Sequence, residues 1–465
     1  MGKRKDSPAQ SRRPINGDTL RSAVGWAIED KIFAKVKFHG NVTWKAFYLI
    51  LLAMVWVWSD HATLTGAFDD ACHWSLRVLG QVAVTTYQGM IKALVSWTGE
   101  LLPLVQEQFR WLMRTHGGAY WRVGRWLALA VDGSRIGVPR TKPNEKAFCA
   151  PNYGRGKTAR YRKKKGKGLR KRKEKQHPVG PQMWLTMLWH LGLRMPWGWT
   201  SGPSYASERD HFRTMLTEQK FPENTLFCAD AGFVGYDLWK AIIDGGHAFL
   251  IRVGANVRLL RGLGYVRERS GLVYCWPDEA ARKRQPPLVL RLIQLKVGDR
   301  LMWLVTNVLE DERLSDADAA ELYRLRWGIE LQFRTVKQTF GRRQLRSRTP
   351  EPAKVELDWS LVGLWLIQLF AVKEQVEVGT VPERCSVGLA IEVVRTMLRR
   401  WSERSEASFA DSLRGATKDD YHRSSSKKAR YRPNYKDKPA AGKPKIRKAT
   451  RKHKLKLKRN LEIAA

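Results

Sequence analysis

Ser315–Phe340 reads SDADAAELYRLRWGIELQFRTVKQTF, and its pattern decides how the rest of the chain is read. Ser315 is placed to cap a helix and Asp318, three residues on, to complete a capping box, with Gly328 the one interruption. At about 100° per residue, Leu322, Leu325, Ile329, Phe333, Val336 and Phe340 form one apolar stripe that must face a core. Tyr323, Arg326, Glu330, Arg334 and Lys337 form a second stripe beside it. Two readings of that second stripe stand. It is a solvated face with ion pairs from Glu330 to Arg326 and Arg334. Or it is a carboxylate held for a metal, with cations beside it to hold phosphates.

The totals bear on that choice. The 465 residues are enough for two or three domains, and 43% hydrophobic content is ample for packed cores. A formal charge of +40 is tolerated most easily beside a polyanion, so nucleic acid is the expected partner and an anionic membrane surface the alternative. Five cysteines (Cys72, Cys149, Cys228, Cys275, Cys385) form no CxxC, against a structural zinc site or a disulfide framework and in keeping with a reducing cytoplasm. No apolar run follows the charged N-terminus, so no secretory signal is visible. The apolar run over 46–58, AFYLILLAMVWVW, falls short of the ~20 residues a membrane span needs and reads as a buried helix, so no membrane is expected as partner.

Outward from the helix, the chain divides by composition. Residues 1–17 read as a disordered basic N-terminus. Residues 18–117 read as helical, either a DNA-end recognition domain or a purely structural layer. The first part of an α/β core occupies 118–246: the strand WLALAV leads into Asp132-Gly133-Ser134, a hairpin follows at 182–200, and the strand TLFCA leads into Asp230-Ala231-Gly232-Phe233. A basic loop over 154–177 interrupts it, too rich in Lys and Arg to pack and suited to clamp phosphates. Residues 247–310 read as a β-strand insertion, and 311–345 as the second part of the core, carrying the Glu330 helix. Residues 346–415 read as C-terminal helices, and 416–465 as a disordered basic tail, a second nonspecific DNA contact.

Taken singly, Asp132-Gly133 is an ordinary turn and Glu330 an ordinary surface acid. Together Asp132, Asp230 and Glu330 form a set. In a ribonuclease H-like core the first and fourth strands lie side by side and a later helix crosses their ends. Three carboxylates meeting there would hold two divalent metals ~3.5–4 Å apart, which activate the attacking oxygen and stabilise the leaving one in an in-line phosphoryl transfer. Carboxylates suit Mg²⁺ because it is hard and prefers oxygen.

These residues carry a resemblance. Tyr323, Arg326, Glu330 and Lys337, spaced Y-x2-R-x3-E-x6-K, resemble the Y-R-E-K signature of bacterial cut-and-paste insertion-sequence transposases with an Asp-Asp-Glu (DDE) active site. Asp132-Gly133-Ser134 and Asp230-Ala231-Gly232-Phe233 look like that family's first and second acid motifs, and the β block before Glu330 like its insertion domain. The resemblance runs from about Trp126 to Phe340. It implies Asp132, Asp230 and Glu330 as catalytic metal ligands for two Mg²⁺ (or Mn²⁺) ions. It implies DNA phosphate binding by Tyr323, Arg326 and Lys337, and Arg334 joins them on the same stripe. It further implies DNA, transposon ends and target, as the partner, and a homodimer in the synaptic complex. Its setting would be the bacterial cytoplasm, at the nucleoid. Related enzymes stack a flipped base on a Trp, for which Trp276, Trp303 and Trp327 are open alternatives. The other reading is a catalytically inactive DNA-binding protein derived from a transposase.

Overall fold

A computed structural model describes residues 13–40, 42–150, 162–164, 167–170, 180–297, 300–419 and 442–464. Four helices come first: α1 (Asn16–Ala27), α2 (Ala46–Trp58), α3 (Leu64–Leu79) and α4 (Tyr87–His116). Next are β1 (Leu127–Gly137), α5 (Lys142–Phe148), β2 (Arg162–Lys164), β3 (Lys167–Arg170), β4 (Gln182–His190), β5 (Met195–Pro203) and α6 (Glu208–Glu218). β6 (Thr225–Ala229), α7 (Tyr236–Asp244), β7 (Ala248–Val253), β8 (Arg258–Arg261), β9 (Leu272–Cys275), α8 (Asp278–Arg282), β10 (Leu288–Val297) and β11 (Arg300–Thr306) come after them. The chain closes with α9 (Asp316–Leu325), α10 (Gly328–Arg334), α11 (Pro350–Glu377), α12 (Val387–Arg399), α13 (Phe409–Arg414), β12 (Lys445–Lys448) and α14 (Arg451–Ala464).

These elements sort into two units. One holds Ala119–Arg334 together with 442–464, and the other Thr335–Asp419 together with the described residues up to Gly118. The helical regions drawn separately from composition, 18–117 and 346–415, therefore belong to a single unit. Its centre is α11, whose Trp359, Trp365 and Leu364 are fully buried; each such side chain contributes roughly 1.5–3 kcal/mol. Trp359 Nε1 donates to Thr98 Oγ1 at 2.9 Å and Trp58 Nε1 to the Gly363 carbonyl at 2.9 Å, tying α4 and α2 to it. Unlike the short run at 46–58, α11 is long and apolar enough to cross a bilayer, but 94% of its most apolar stretch is buried. Two shorter helices are expected between Tyr87 and His116; α4 is instead continuous through Pro103. Its stripe Leu94, Trp97, Leu101, Val105 and Phe109 is buried without a break, and that burial outweighs the ~3 kcal/mol an internal Pro costs. Arg342, in the basic run after Phe340, is not solvated. It donates to Ser360 Oγ (2.8 Å) and the Val57 carbonyl (2.9 Å), and burial pushes its pKa down to about 10.

The other unit is built on one ten-stranded sheet, ordered β12-β8-β9-β10-β11-β7-β6-β1-β4-β5. β4 and β5 pair antiparallel beside β1, whereas β6 and β7 run parallel to it on the other side. The apolar runs read from the sequence fill the middle: all of Thr225–Ala229 and Leu127–Val131 are buried, as strands covered on both faces require. Here the β block needs correction. Its first strand, β7, pairs parallel with β6 (Leu226↔Ala248 to Ala229↔Ile251), so it belongs to the central sheet and not to an insertion beginning at 247. The strands beyond β7 are neither separate from that sheet nor an all-β block, because β11 pairs with β7, continuing the same sheet, and α8 interrupts them. The tail also differs from expectation. Residues 442–464 form β12, parallel to β8, and α14, with Lys443 over the Trp303 ring at 5.1 Å. Strand addition satisfies backbone groups whatever the side-chain charge, which is why a run with few apolar residues is ordered there. Within the basic loop, 162–164 and 167–170 pair as a two-stranded ribbon; the remainder, residues 1–12 and residues 420–441 lie outside the described residues.

Candidate active site

Register brings the two aspartates together. The last parallel pair between β1 and β6 is Val131↔Ala229, so Asp132, within β1, and Asp230, directly after β6, are the next residues of two adjacent strand paths. β1 does not end at its acid: it continues to Gly137, with Asp132 opposite Met187 of β4, so Asp132-Gly133 is strand and not turn. Asp230 ends its strand and opens a short 3₁₀ turn over Ala231–Phe233. Each aspartate is oriented by the next glycine of its motif. Gly133 N donates to Asp132 Oδ1 at 2.8 Å, and Gly232 N to Asp230 Oδ1 at 2.7 Å.

Glu330 arrives from a helix that is not the single one expected. α9 begins with the Ser315–Asp318 capping box but ends at Leu325. Through the junction, Trp327 N, Ile329 N and Glu330 N each bond a carbonyl three residues back, at 3.1–3.3 Å. Such 3₁₀ turns advance side chains by about 120° and not 100°, which resets the stripes. The cause is tertiary. A Cβ built on Gly328 falls well inside contact with the ring of Trp189, a fully buried residue of β4, so the helix is packed against the sheet at its glycine. α10 then gives way to one π turn over Thr335–Thr339, closed by Phe340 N to the Thr335 carbonyl at 2.8 Å.

Between the carboxylates sits Arg326, 8% exposed, whose Nη2 donates to Glu330 Oε1 at 3.4 Å. Burial works against its charge, but Tyr323, Asp132, Asp230 and Glu330 outweigh it and raise the pKa. Burial, with the charges of Asp230 and Glu330, pushes Asp132 up to about 6 against the opposing Gly133 amide and Arg326. Burial raises Glu330 too, with Asp230 adding to it and Arg326 and Arg334 opposing. The three predicted acids thus act on one another, yet no group of three His, Cys, Asp or Glu among the described residues is drawn to joint metal-ligating distance. The guanidinium of Arg326 is the local counter-charge. Hard oxygen donors that raise one another's pKa are the donor set a divalent cation fits.

Tyr323 is 8% exposed with Arg326 over its ring at 5.2 Å, and burial raises its pKa. Tyr323 Oη and Arg326 Nε are buried without a hydrogen-bond partner among the described residues, which fits groups kept for a ligand oxygen. Arg334 is exposed. Lys337 lies on the π turn, in the helical unit, where burial and then Arg343 lower its pKa. Of the three tryptophans, Trp276 is buried with its Nε1 bonded to the Gln285 carbonyl and Trp303 is covered by Lys443, while Trp327 is 54% exposed.

Sequence reading missed one carboxylate. Glu208, the first residue of α6, is half-buried beside both aspartates, and burial, then Asp230 and Asp132, push its pKa up to about 7. An acid after a helix-capping Ser207 is an ordinary helix start; the only signal was the glycine in each acid motif.

The raised pKa of Asp132 has a stability consequence. A carboxyl whose folded-state pKa is raised contributes stability present below the unfolded carboxylate range and lost as pH rises through about 6. In the chelator-treated protein, Asp132→Asn should therefore gain melting temperature relative to wild type between pH 5 and pH 8, by on the order of 1 kcal/mol after discounting for exposure. A difference that stays flat across that range contradicts the crowding of charge at this site.

The site that the two strands and α10 define is a set of oxygen donors flanked by buried cationic and phenolic groups, on an α/β unit. Its residues lie within 127–366, where the chain matches the model of the transposase DDE domain family, over more than half its length. The chain belongs to that family. It is similar to the transposase InsG for insertion sequence element IS4 of Escherichia coli K12, 27% identical over 282 residues, 58% of each protein. The chain thus spans 58% of the length of that relative. Among solved structures, a piggyBac transposase synaptic complex with hairpin DNA aligns over 89% of each chain at 12% identity and a TM-score of 0.41.

Proposed function

We propose that the protein is a cut-and-paste DNA transposase that cleaves DNA at transposon ends and transfers the strands into target DNA. The observation that carries this reading is the register placing Asp132 beside Asp230, with Glu330 and Arg326 interacting with both. Strands β5-β4-β1-β6-β7, with β6 and β7 parallel to β1, support a ribonuclease H-like core. Asp132, Asp230 and Glu330 would hold Mg²⁺ or Mn²⁺, two ions in this reading. When bound, the ions supply Lewis-acid stabilisation of the phosphodiester and of the leaving 3′ oxygen.

The protein's own groups do the rest. The Gly133 and Gly232 amides orient the two aspartates, so the donors are positioned before any ligand arrives. Arg326, which donates to Glu330 Oε1, and the partnerless Tyr323 Oη would be the groups that bind a phosphate oxygen beside the carboxylates. Arg334 and Lys337 take further phosphates along the end. β12 and α14 carry Lys445, Arg447, Lys448 and Arg451, exposed cations that would hold DNA without sequence preference. The synaptic complex would be a homodimer, at work in the bacterial nucleoid.

The test is incubation of the protein with DNA carrying the element's flanking ends and Mg²⁺, followed by mapping of new 3′ hydroxyls and hairpins. Breaks at the element boundary, absent with chelator, are expected. Tight DNA binding with no metal-dependent break would leave the inactive, DNA-binding reading in its place.

A further inference from the structure

We infer that Glu208 is a fourth carboxylate of the divalent-cation site, acting with Asp132, Asp230 and Glu330; this rests on the metal-dependent reading above. The observation behind it is a cradle. A Cβ placed on Gly133 would lie 2.8 Å from Glu208 Oε2, and one placed on Gly232 would lie 2.7 Å from Glu208 Oε1. One carboxylate therefore rests with an oxygen over each of the two glycines that orient Asp132 and Asp230. No side chain larger than hydrogen is compatible with that position at either glycine. Both acid motifs thus carry a glycine whose common feature is room for Glu208.

An acid at the start of a helix is usually there for the helix. Here that purpose is already served: the Ser207 hydroxyl caps α6, accepting from Asp210 N at 3.3 Å. The neighbouring Arg209 sends its Nη1 to the Val234 carbonyl at 3.0 Å. Glu208 makes no hydrogen bond and no ion pair among the described residues, although it is half-buried. A carboxylate in that state beside two others either takes up a proton or shares a cation with them. A donor also points at the same place. Trp184 Nε1 comes within 2.8 Å of the position a Gly133 Cβ would take, and it has no hydrogen-bond partner among the described residues.

The experiment is Mn²⁺ titration of the DNA-free full chain, followed by electron paramagnetic resonance, for wild type, Glu208→Gln, Glu208→Asp and Asp230→Asn, with melting of each metal-free protein. Glu208→Gln is expected to bind Mn²⁺ at least about tenfold more weakly, with Glu208→Asp between it and wild type. Its metal-free melting temperature should hold or rise, because one of three crowded charges is gone. If Glu208→Gln binds Mn²⁺ within twofold of wild type while Asp230→Asn is impaired, the inference is overturned and the metal site stands without Glu208. If neither variant is impaired, the metal-dependent reading fails and takes the inference with it. A metal-free Glu208→Gln protein melting several degrees below wild type would assign Glu208 a structural role instead.

Discussion

Replacing Asp132, Asp230 or Glu330 singly by Ala should reduce metal-dependent strand cleavage by about 10³-fold or more while leaving DNA affinity within a few-fold of wild type. The size follows from what each group supplies. Electrostatic stabilisation of a phosphoryl transition state by a bound cation amounts to several kcal/mol, and each 1.36 kcal/mol is tenfold in rate. The three losses should be of similar size and far from additive in combination, because in the proposed reading the carboxylates, which influence one another electrostatically, would act on the same ions. Affinity should persist for a different reason: it comes from a chain of net charge +40, to which one lost acid is a small and favourable change. The measurement is a cleavage time course on labelled end-containing DNA beside a binding isotherm at fixed salt. Cleavage surviving in any one variant would remove that residue from the site. Loss of binding in step with cleavage would mean that the substitution had unfolded the protein.

Much of this site is legible before any coordinates, and the reason is local. Apolar runs that end in acids, LALAVD and TLFCAD, announce buried strands with a carboxylate at the limit of their shared pairing, and register alone then makes Asp132 and Asp230 neighbours. What is not legible is whatever depends on a partner distant in sequence. The Ser315–Phe340 pattern reads as one helix because nothing within it reveals Trp189, which packs at Gly328 and forces the 3₁₀ turns. β7 reads as the start of an insertion because its apolar content is shared by every strand of the block; only its pairing with β6 places it in the centre. The basic tail reads as disordered because composition measures what a segment can bury, not whether a sheet edge is open for it to join. Glu208 is hidden for the opposite reason: its local context explains it fully, so nothing local asks for a second role.

Gly328→Ala should damage both stability and cleavage. In an exposed helix the substitution would stabilise by up to about 1 kcal/mol. Here the added methyl meets Cη2, Cζ3 and Cζ2 of Trp189, and that indole is 1% exposed, so it has nowhere to turn. Overpacking of this kind costs roughly 1–3 kcal/mol, and it is relieved by α10 lifting from the sheet. Glu330 is only two residues along α10, so the lift carries its carboxylate away from Asp132 and Asp230. A displacement of about 1 Å there costs on the order of 10²-fold in rate, and cleavage should fall by more than the stability loss alone explains. Trp189→Phe, by removing the ring that obstructs, should partly restore both stability and cleavage when combined with Gly328→Ala, although alone it leaves a cavity. A double-mutant cycle reads this as a coupling of roughly 0.5–3 kcal/mol in size, favouring the pair. Additive effects within experimental error would mean that the indole does not set the position of the Glu330 helix. The seating of α10, and with it the third acid, would then need another explanation.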